Sequence, residues 1–292
     1  YGAKLFEAGF DVTLIDTWME HVAAIKAGGL KVAGLESGGS LKIKVTSQPE
    51  EVGIADLVIV LVKACDTKPA LTKAKNMVGS GTVVVSLQNG LGNVEQLIEA
   101  VGIERVVGGV TAHGACVIGP GHICHTGHGY TVIGELDGRR SERILKIGQI
   151  LEQAGLAPVV ISDDVTKLIW KKLMSNISVN AISALCGIKN GQVIEHPETR
   201  EISRQAVEEA AAVARAKGIN MDYDPIETSF QVIRETAANR SSMLQDVSRH
   251  KPTEVEVING AIVREGQALG IATPVNKTLT ALISVVQKTY ET

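Results

Sequence analysis

Lys172, Asn176 and Asn180 recur at intervals of four residues inside DDVTKLIWKKLMSNISVNAISALC, residues 163–186, which contains neither Gly nor Pro. At 3.6 residues per turn such a row drifts by roughly 40° per step, so one ammonium and two carboxamides share a single helix flank. An ammonium beside a carbonyl stabilises developing negative charge and can deliver a proton, and carboxamides can hydrogen-bond hydroxyl groups. The same spacing also describes a solvated flank, the ordinary place for charge. What favours chemistry is the position of the stretch, at the seam between two halves of the chain with different patterns.

The helix that would carry this row is written in its apolar residues. Val165, Ile169, Leu173 and Ile177 repeat every four positions, with Leu168, Trp170 and Met174 in adjacent rows, which predicts a broad buried face. Asp163 and Asp164 suit its N-terminus. Lys171 points about 100° away from Lys172 and is expected to be a surface charge.

Before this stretch, strands alternate with helices. YGAKLFEAGF reads as the back of a helix ended by Gly9, and DVTLID as a short strand closed by Asp16. LKVAGLESGGSLKIKV reads as a hairpin around its glycine pair. ADLVIVLVK and TVVVSL are unbroken apolar runs, as expected of parallel strands covered on both faces, with helices at 67–78 and 93–101. Residues 106–135 read as strand, turn, strand around Gly119–Gly121, followed by a helix near 141–155 and the strand PVVIS. After residue 163 no strand is expected. Segments 198–217, 226–238, 253–269 and 274–290 carry helical periodicity, separated by Gly218, Pro225, Pro252, Gly270 and Pro274. The expected organisation is an α/β Rossmann-type N-terminal domain, residues 1–162, and an all-α C-terminal domain, residues 163–292.

Composition removes several classes of function. With 292 residues, 45% hydrophobic and 21% charged, the chain is globular and long enough for two cores. A formal net charge of -3 gives no general attraction to nucleic acid or to anionic membranes. No apolar run reaches the length of a membrane span, and four irregularly spaced cysteines suggest reduced thiols and a cytoplasmic setting. A homodimer is compatible with these features and not demanded by them.

A helix tail followed by an acid-ended strand is what succeeds the glycine loop of a dinucleotide-binding βαβ unit. There the acid, here Asp16, accepts hydrogen bonds from a ribose diol. An acid at a βα turn is also ordinary loop chemistry. The GxGxxG loop and the first strand are absent from this sequence, so a strand and glycine loop are expected to precede Tyr1. Lys63 and Asn89 end two successive expected strands, at the carboxyl edge where open sheets bind ligands. Asn89-Gly90 is equally a common turn dipeptide.

Six patterns in order resemble the ketopantoate reductase (2-dehydropantoate 2-reductase) family: VKA at 62–64, QNGLGN at 88–93, the GVTAHGA segment within 108–115, WKKLMSNISVN at 170–180, NRSSMLQD at 239–246 and TEVEVINGAI at 253–262. The resemblance covers essentially the whole chain and departs from the family only in the missing glycine loop. It implies a Rossmann domain joined to a helical domain, and reduction of 2-dehydropantoate by NADP(H). It also implies that Lys172 is the catalytic lysine and that Glu254 accepts a hydrogen bond from the substrate's terminal hydroxyl. Asn239 and Ser242 would help to bind the substrate carboxylate, and Asn176 and Asn180 its hydroxyls. For Glu254 the competing role is capping of the helix expected to begin at residue 253, and for Asn239 and Ser242 ordinary turn formation. Glu256 serves as a structural control.

Two further readings remain open from the residues. One is another 2-keto or hydroxy-acid dehydrogenase of the same architecture, and the other a catalytically idle dinucleotide-binding protein. Asp16, with no Arg or Lys between it and Lys26, suits NAD(H), whereas the resemblance implies NADP(H). His113, Cys116, His122, Cys124, His125 and His128 crowd one β segment. Their spacing fits no standard zinc pattern, so a hairpin and no metal are expected there.

Overall fold

A chain that alternates apolar runs with amphipathic stretches must cover its strands with helices, and the first of two compact units does so. The computed structural model describes residues 1–34 and 38–291. The first unit comprises Tyr1–Val62, Asp66–Gln88 and Val94–Val165. Its elements begin with α1 (Gly2–Glu7), β1 (Thr13–Ile15), α2 (Met19–Gly28), β2 (Leu30–Gly34), β3 (Gly38–Leu41) and β4 (Lys44–Thr46). They continue with β5 (Leu57–Val60), α3 (Thr67–Ala74), β6 (Val83–Ser86), α4 (Asn93–Val101) and β7 (Val106–Thr111). The last are β8 (Gly114–Gly119), β9 (His122–Gly127), β10 (Thr131–Gly134), α5 (Glu142–Gln153) and β11 (Val159–Ile161).

Three sheets result: a pair β1-β4, a five-stranded sheet in the order β11-β10-β7-β6-β5, and a four-stranded sheet in the order β3-β2-β9-β8. The expected parallel arrangement holds for β5–β6, β6–β7 and β10–β11, but β10 lies antiparallel to β7. The reason is in the connection. No helix lies between Thr111 and Thr131 to carry the chain back across the sheet, so the chain returns in the opposite direction. Val84, Val85 and Val107 are fully buried, and Ile144, Ile147 and Leu151 of α5 pack on the same core as Val85 and Val107. Ser141 caps α5 by accepting a hydrogen bond from the Ile144 N–H at 3.2 Å.

The hairpin expected at 30–45 forms only in part. β2 and β3 pair antiparallel, but their turn, residues 35–37, lies outside the described residues, and Lys44–Thr46 instead pairs in parallel with β1. The hairpin around Gly119–Gly121 forms as expected between β8 and β9.

The second unit comprises Lys63–Cys65, Asn89–Asn93 and Thr166–Thr292, and among its described residues there is no strand. Its helices are α6 (Val165–Cys186), α7 (Gln192–Glu195), α8 (Pro197–Ala216), α9 (Pro225–Glu235), α10 (Ser242–Ser248), α11 (Asn259–Leu269) and α12 (Pro274–Lys288). Pro stands in the first turn of α8, α9 and α12, where no backbone donor is required. Trp170, Leu173, Met174 and Ile177 of α6 join a single core with Ala206 and Ala210 of α8 and Ile262 of α11. Removing a side chain such as Leu173 from this core costs about 2–5 kcal/mol. Asn276, fully buried at the start of α12, locks α8 to α11. Its Nδ2 donates to Ala206 O at 2.9 Å and to Glu209 Oε2 at 2.8 Å, while its Oδ1 accepts from Asn259 Nδ2 at 3.0 Å.

The continuous helix expected over 253–269 is broken. A 3-10 turn covers Val255–Val257, Ile258 sits at φ -102°, ψ -93°, and α11 starts only at Asn259. Burial explains the break: Val255 and Ile258 are both fully buried, three residues apart, and the tighter turn puts both into the core. Ser242 is the first residue of α10 and does not lie between helices; the capping hydroxyl belongs to its neighbour Ser241, which accepts from the Leu244 N–H at 3.1 Å.

Candidate active site

In the helical unit the Lys172 row is not a solvated flank. Lys172 and Asn176 are half-buried and Asn180 is buried, whereas Lys171 is exposed, with its Nζ 5.1 Å from the centre of the Tyr223 ring. Desolvation lowers the Lys172 pKa to about 8, against the opposing pull of the Glu254 carboxylate. A lysine poised near neutrality can be an ammonium when a proton is needed and an amine once it has been given up.

Glu254 stands just before the 3-10 turn and caps nothing with its side chain. Its Oε2 instead accepts a hydrogen bond from Asn89 Nδ2 at 3.0 Å. Burial raises the Glu254 pKa, while the Asn89 hydrogen bond and the Lys63 and Lys172 charges work in the other direction. The capping role weighed for Glu254 is therefore replaced by a carboxylate that takes the Asn89 amide as its partner and feels the Lys172 charge. Glu256 is exposed and pairs with Arg264 at 3.5 Å, as befits a surface residue.

Lys63 and Asn89 each lie three residues beyond a strand, and the register Val60↔Ser86 makes their positions equivalent. Both belong to the segments that pack within the helical unit. Lys63 Nζ pairs with Asp246 Oδ2 at 2.6 Å and donates to Pro252 O at 2.6 Å. Desolvation raises the Asp246 pKa, with Lys63 opposing. Sequence reasoning missed Asp246; an acid two residues into a buried-apolar run, after Met243 and Leu244, was the available signal.

The QNGLGN segment is positioned by backbone. Gly90 has φ +82°, and a Cβ there would stand 2.4 Å from Val257 O, so only glycine lets the segment approach the 3-10 turn. The Leu91 N–H then donates to Val257 O at 2.9 Å. This places Asn89 beside Glu254, and the turn reading of Asn89-Gly90 and the ligand reading are both served by one conformation.

Asn239 and Ser242 are exposed, near the start of α10, and the Asn239 carbonyl accepts from the Asn190 N–H at 3.0 Å. Asp16 belongs to the other unit. It is exposed, its N–H donates to Thr46 O at 3.2 Å and its Oδ1 accepts from the Trp18 N–H at 2.8 Å. The carboxylate thus closes its own turn at the end of β1.

Family models match almost the whole chain. One described as ketopantoate reductase PanE/ApbA matches residues 1–138, and one described as ketopantoate reductase PanE/ApbA C terminal matches residues 164–287. The chain belongs to the ketopantoate reductase family. Among relatives in this family, the 2-dehydropantoate 2-reductase of Archaeoglobus fulgidus is 41% identical over 286 residues, 98% of this chain and 93% of that protein. The enzyme of the same name from Halobacterium salinarum is 35% identical over 280 residues, covering 95% and 91%. Among solved structures, a PanE/ApbA family ketopantoate reductase from Ralstonia eutropha JMP134 superposes with a TM-score of 0.92 at 33% identity, covering 100% of this chain and 95% of that one. A D-mandelate dehydrogenase bound to NADH and anilino(oxo)acetate gives 0.93 at 28% identity, covering 99% and 95%. No helix of the described residues is long and apolar enough to cross a membrane.

Proposed function

We propose that this ketopantoate reductase family member is an oxidoreductase that reduces 2-dehydropantoate to pantoate, on the route to pantothenate and coenzyme A, using a nicotinamide dinucleotide. The observation that carries the reading is the coupling of Lys172, with its pKa near 8, to the Asn89-supported carboxylate of Glu254 inside one unit. Residues 1–162 form the dinucleotide-binding domain in this proposal and residues 163–292 the substrate domain.

In this proposal the exposed carboxylate of Asp16, one oxygen of which takes the Trp18 N–H, offers its other oxygen to a ribose diol of the dinucleotide. When bound, the nicotinamide supplies a hydride to the substrate carbonyl carbon. Lys172 holds the carbonyl oxygen, stabilises the charge that develops on it and transfers its proton from Nζ to that oxygen. Glu254 accepts a hydrogen bond from the substrate's terminal hydroxyl, and Asn89 keeps the carboxylate turned for this purpose. Asn176 and Asn180 continue the Lys172 flank and orient the substrate's carbonyl and its one hydroxyl, while Asn239 and Ser242 bind its carboxylate. Lys63, held by Asp246 and Pro252 O, contributes positive charge on the cofactor side of the reaction.

The family resemblance favours NADP(H), and we adopt it. Asp16 works against that choice, because its carboxylate repels a 2′-phosphate, so NAD(H) is the competing assignment.

A second reading, reduction of a 2-keto acid without a terminal hydroxyl, is favoured by the likeness to a D-mandelate dehydrogenase. Steady-state kinetics separate the two. With 2-dehydropantoate, kcat/KM should exceed that for 2-ketoisovalerate, which lacks the hydroxyl, by at least about 10²-fold, since an unmet buried acceptor is costly. Equal values would transfer the assignment to the wider keto-acid class, and no turnover of either would favour an idle dinucleotide-binding protein.

A further inference from the structure

The six histidines and cysteines between residues 113 and 128 sort into two groups once the β8–β9 hairpin is folded. One ring nitrogen each from His113, His125 and His128 comes within 4.8 Å of the others, while His122 and both cysteines stay out of the group. His113 immediately precedes β8, His125 lies in β9 and His128 follows it, and the pairing Gly114↔Gly127 draws the two strand ends together. These three residues are gathered across a hairpin and so obey no fixed sequence spacing.

We propose that His113, His125 and His128 form a binding site for a borderline-soft divalent transition metal of the Zn²⁺, Co²⁺ or Ni²⁺ class. Imidazole nitrogens suit these ions, and three of them leave a fourth tetrahedral position for water. Two of the rings are already fixed in the manner of metal ligands. His113 Nε2 lies 3.3 Å from Leu156 O and His125 Nε2 lies 3.1 Å from Gly127 O. A carbonyl oxygen only accepts, so each Nε2 carries the proton; the His125 Nδ1 then presents its lone pair, and the His113 Nδ1 lone pair accepts the Gly129 N–H. Ligating histidines commonly donate their other N–H to a backbone carbonyl in this way, which fixes tautomer and ring orientation.

Each ring also sits against its neighbours. The His113 and His125 centroids are 5.9 Å apart and those of His125 and His128 are 4.8 Å apart. Burial, with help from the neighbouring histidines, lowers the pKa of His113 and of His125. Metal–nitrogen bonds of about 2.0–2.1 Å at tetrahedral angles require nitrogens about 3.3 Å apart. Rotation of His128, which is exposed, with a smaller tilt of the half-buried His125 about its Gly127 O hydrogen bond, closes that gap. The metal takes the His113 Nδ1 lone pair that otherwise accepts the Gly129 N–H at 3.3 Å, so the Gly129 backbone must turn aside as the ion enters. The ion would staple the two ends of the hairpin to the loop before β11 through Leu156.

Titration of the whole chain with Co²⁺, read by its visible d–d absorption, and with Zn²⁺ by competition against a chromogenic chelator tests the site. One equivalent should bind, with the intense spectrum of a tetrahedral Co²⁺ centre. His125→Ala and His128→Ala should each weaken binding by at least about 10-fold. His122→Ala and His196→Ala should leave it unchanged. His128 is exposed, so its substitution leaves the fold intact and keeps the test decisive if His113 or His125 variants lose structure. Binding that survives His128→Ala at full strength, or that is lost equally in His122→Ala, would overturn the proposal, as would the absence of stoichiometric binding.

Discussion

At the scale of single residues, the difference between Lys171 and Lys172 is the sharpest statement the structure makes. The two are adjacent, yet one is exposed with its ammonium over the half-buried Tyr223 ring and the other is desolvated. Lys172→Ala should lower kcat by at least about 10²-fold, the usual loss for a general acid, with Lys171→Ala nearly silent in the same steady-state assay. Glu254→Ala should raise KM for the keto acid, and Glu256→Ala should leave it unchanged. The pH profile follows from the same two groups. Reduction needs Lys172 protonated, so kcat/KM should fall as pH rises through about 8. It needs Glu254 ionised, so the acid limb should lie above the ordinary carboxylate range, because burial raises that pKa. The two limbs belong to the coupled pair. Glu254→Gln should remove the acid limb; its persistence would mean that another group titrates there.

At the scale of elements, the site depends on two irregular pieces of backbone meeting. Neither the QNGLGN loop nor the 3-10 turn at Val255–Val257 is a helix or strand, and each is stabilised by the other through the Leu91 N–H and Val257 O. Gly90→Ala should destabilise the protein by about 1–3 kcal/mol in urea unfolding, since the residue sits at φ +82° with its would-be Cβ against a carbonyl. It should also raise KM by displacing Asn89 from Glu254, a result a purely structural role for the loop would not give. Asn276→Ala is the contrasting case. It removes partners from buried Asn259 and Glu209, at a cost of about 1–3 kcal/mol, and far from Lys172 in the chain it should alter the melting temperature without changing the pH profile.

At the scale of the whole molecule, the cofactor assignment can be read from stability. A ligand that binds only the folded state stabilises it by about 2.7 kcal/mol at a hundredfold excess over its Kd. NADPH should therefore raise the melting temperature more than NADH at equal concentration. The reverse order, abolished by Asp16→Asn, would show that the carboxylate at the end of β1 sets the choice.

The sequence by itself determined the class of each half, because periodicity of 2 before residue 163 and 3.6 after it follow from how strands and helices present side chains. It determined the α6 row as well, since residues four apart on one helix are neighbours whatever surrounds them. The antiparallel β10, the division of residues 30–46 between two sheets, and the break at Ile258 belong to tertiary structure. Each depends on which distant strand or core a segment meets, and local pattern carries no record of that. The same holds for Asp246 beside Lys63, Asn89 on Glu254, and the three histidines across the hairpin. In each case the partners are far apart in the chain or on different strands. Only the folded backbone, with glycine at residue 90 and a turn at residues 119–121, brings the charges and lone pairs within reach of one another.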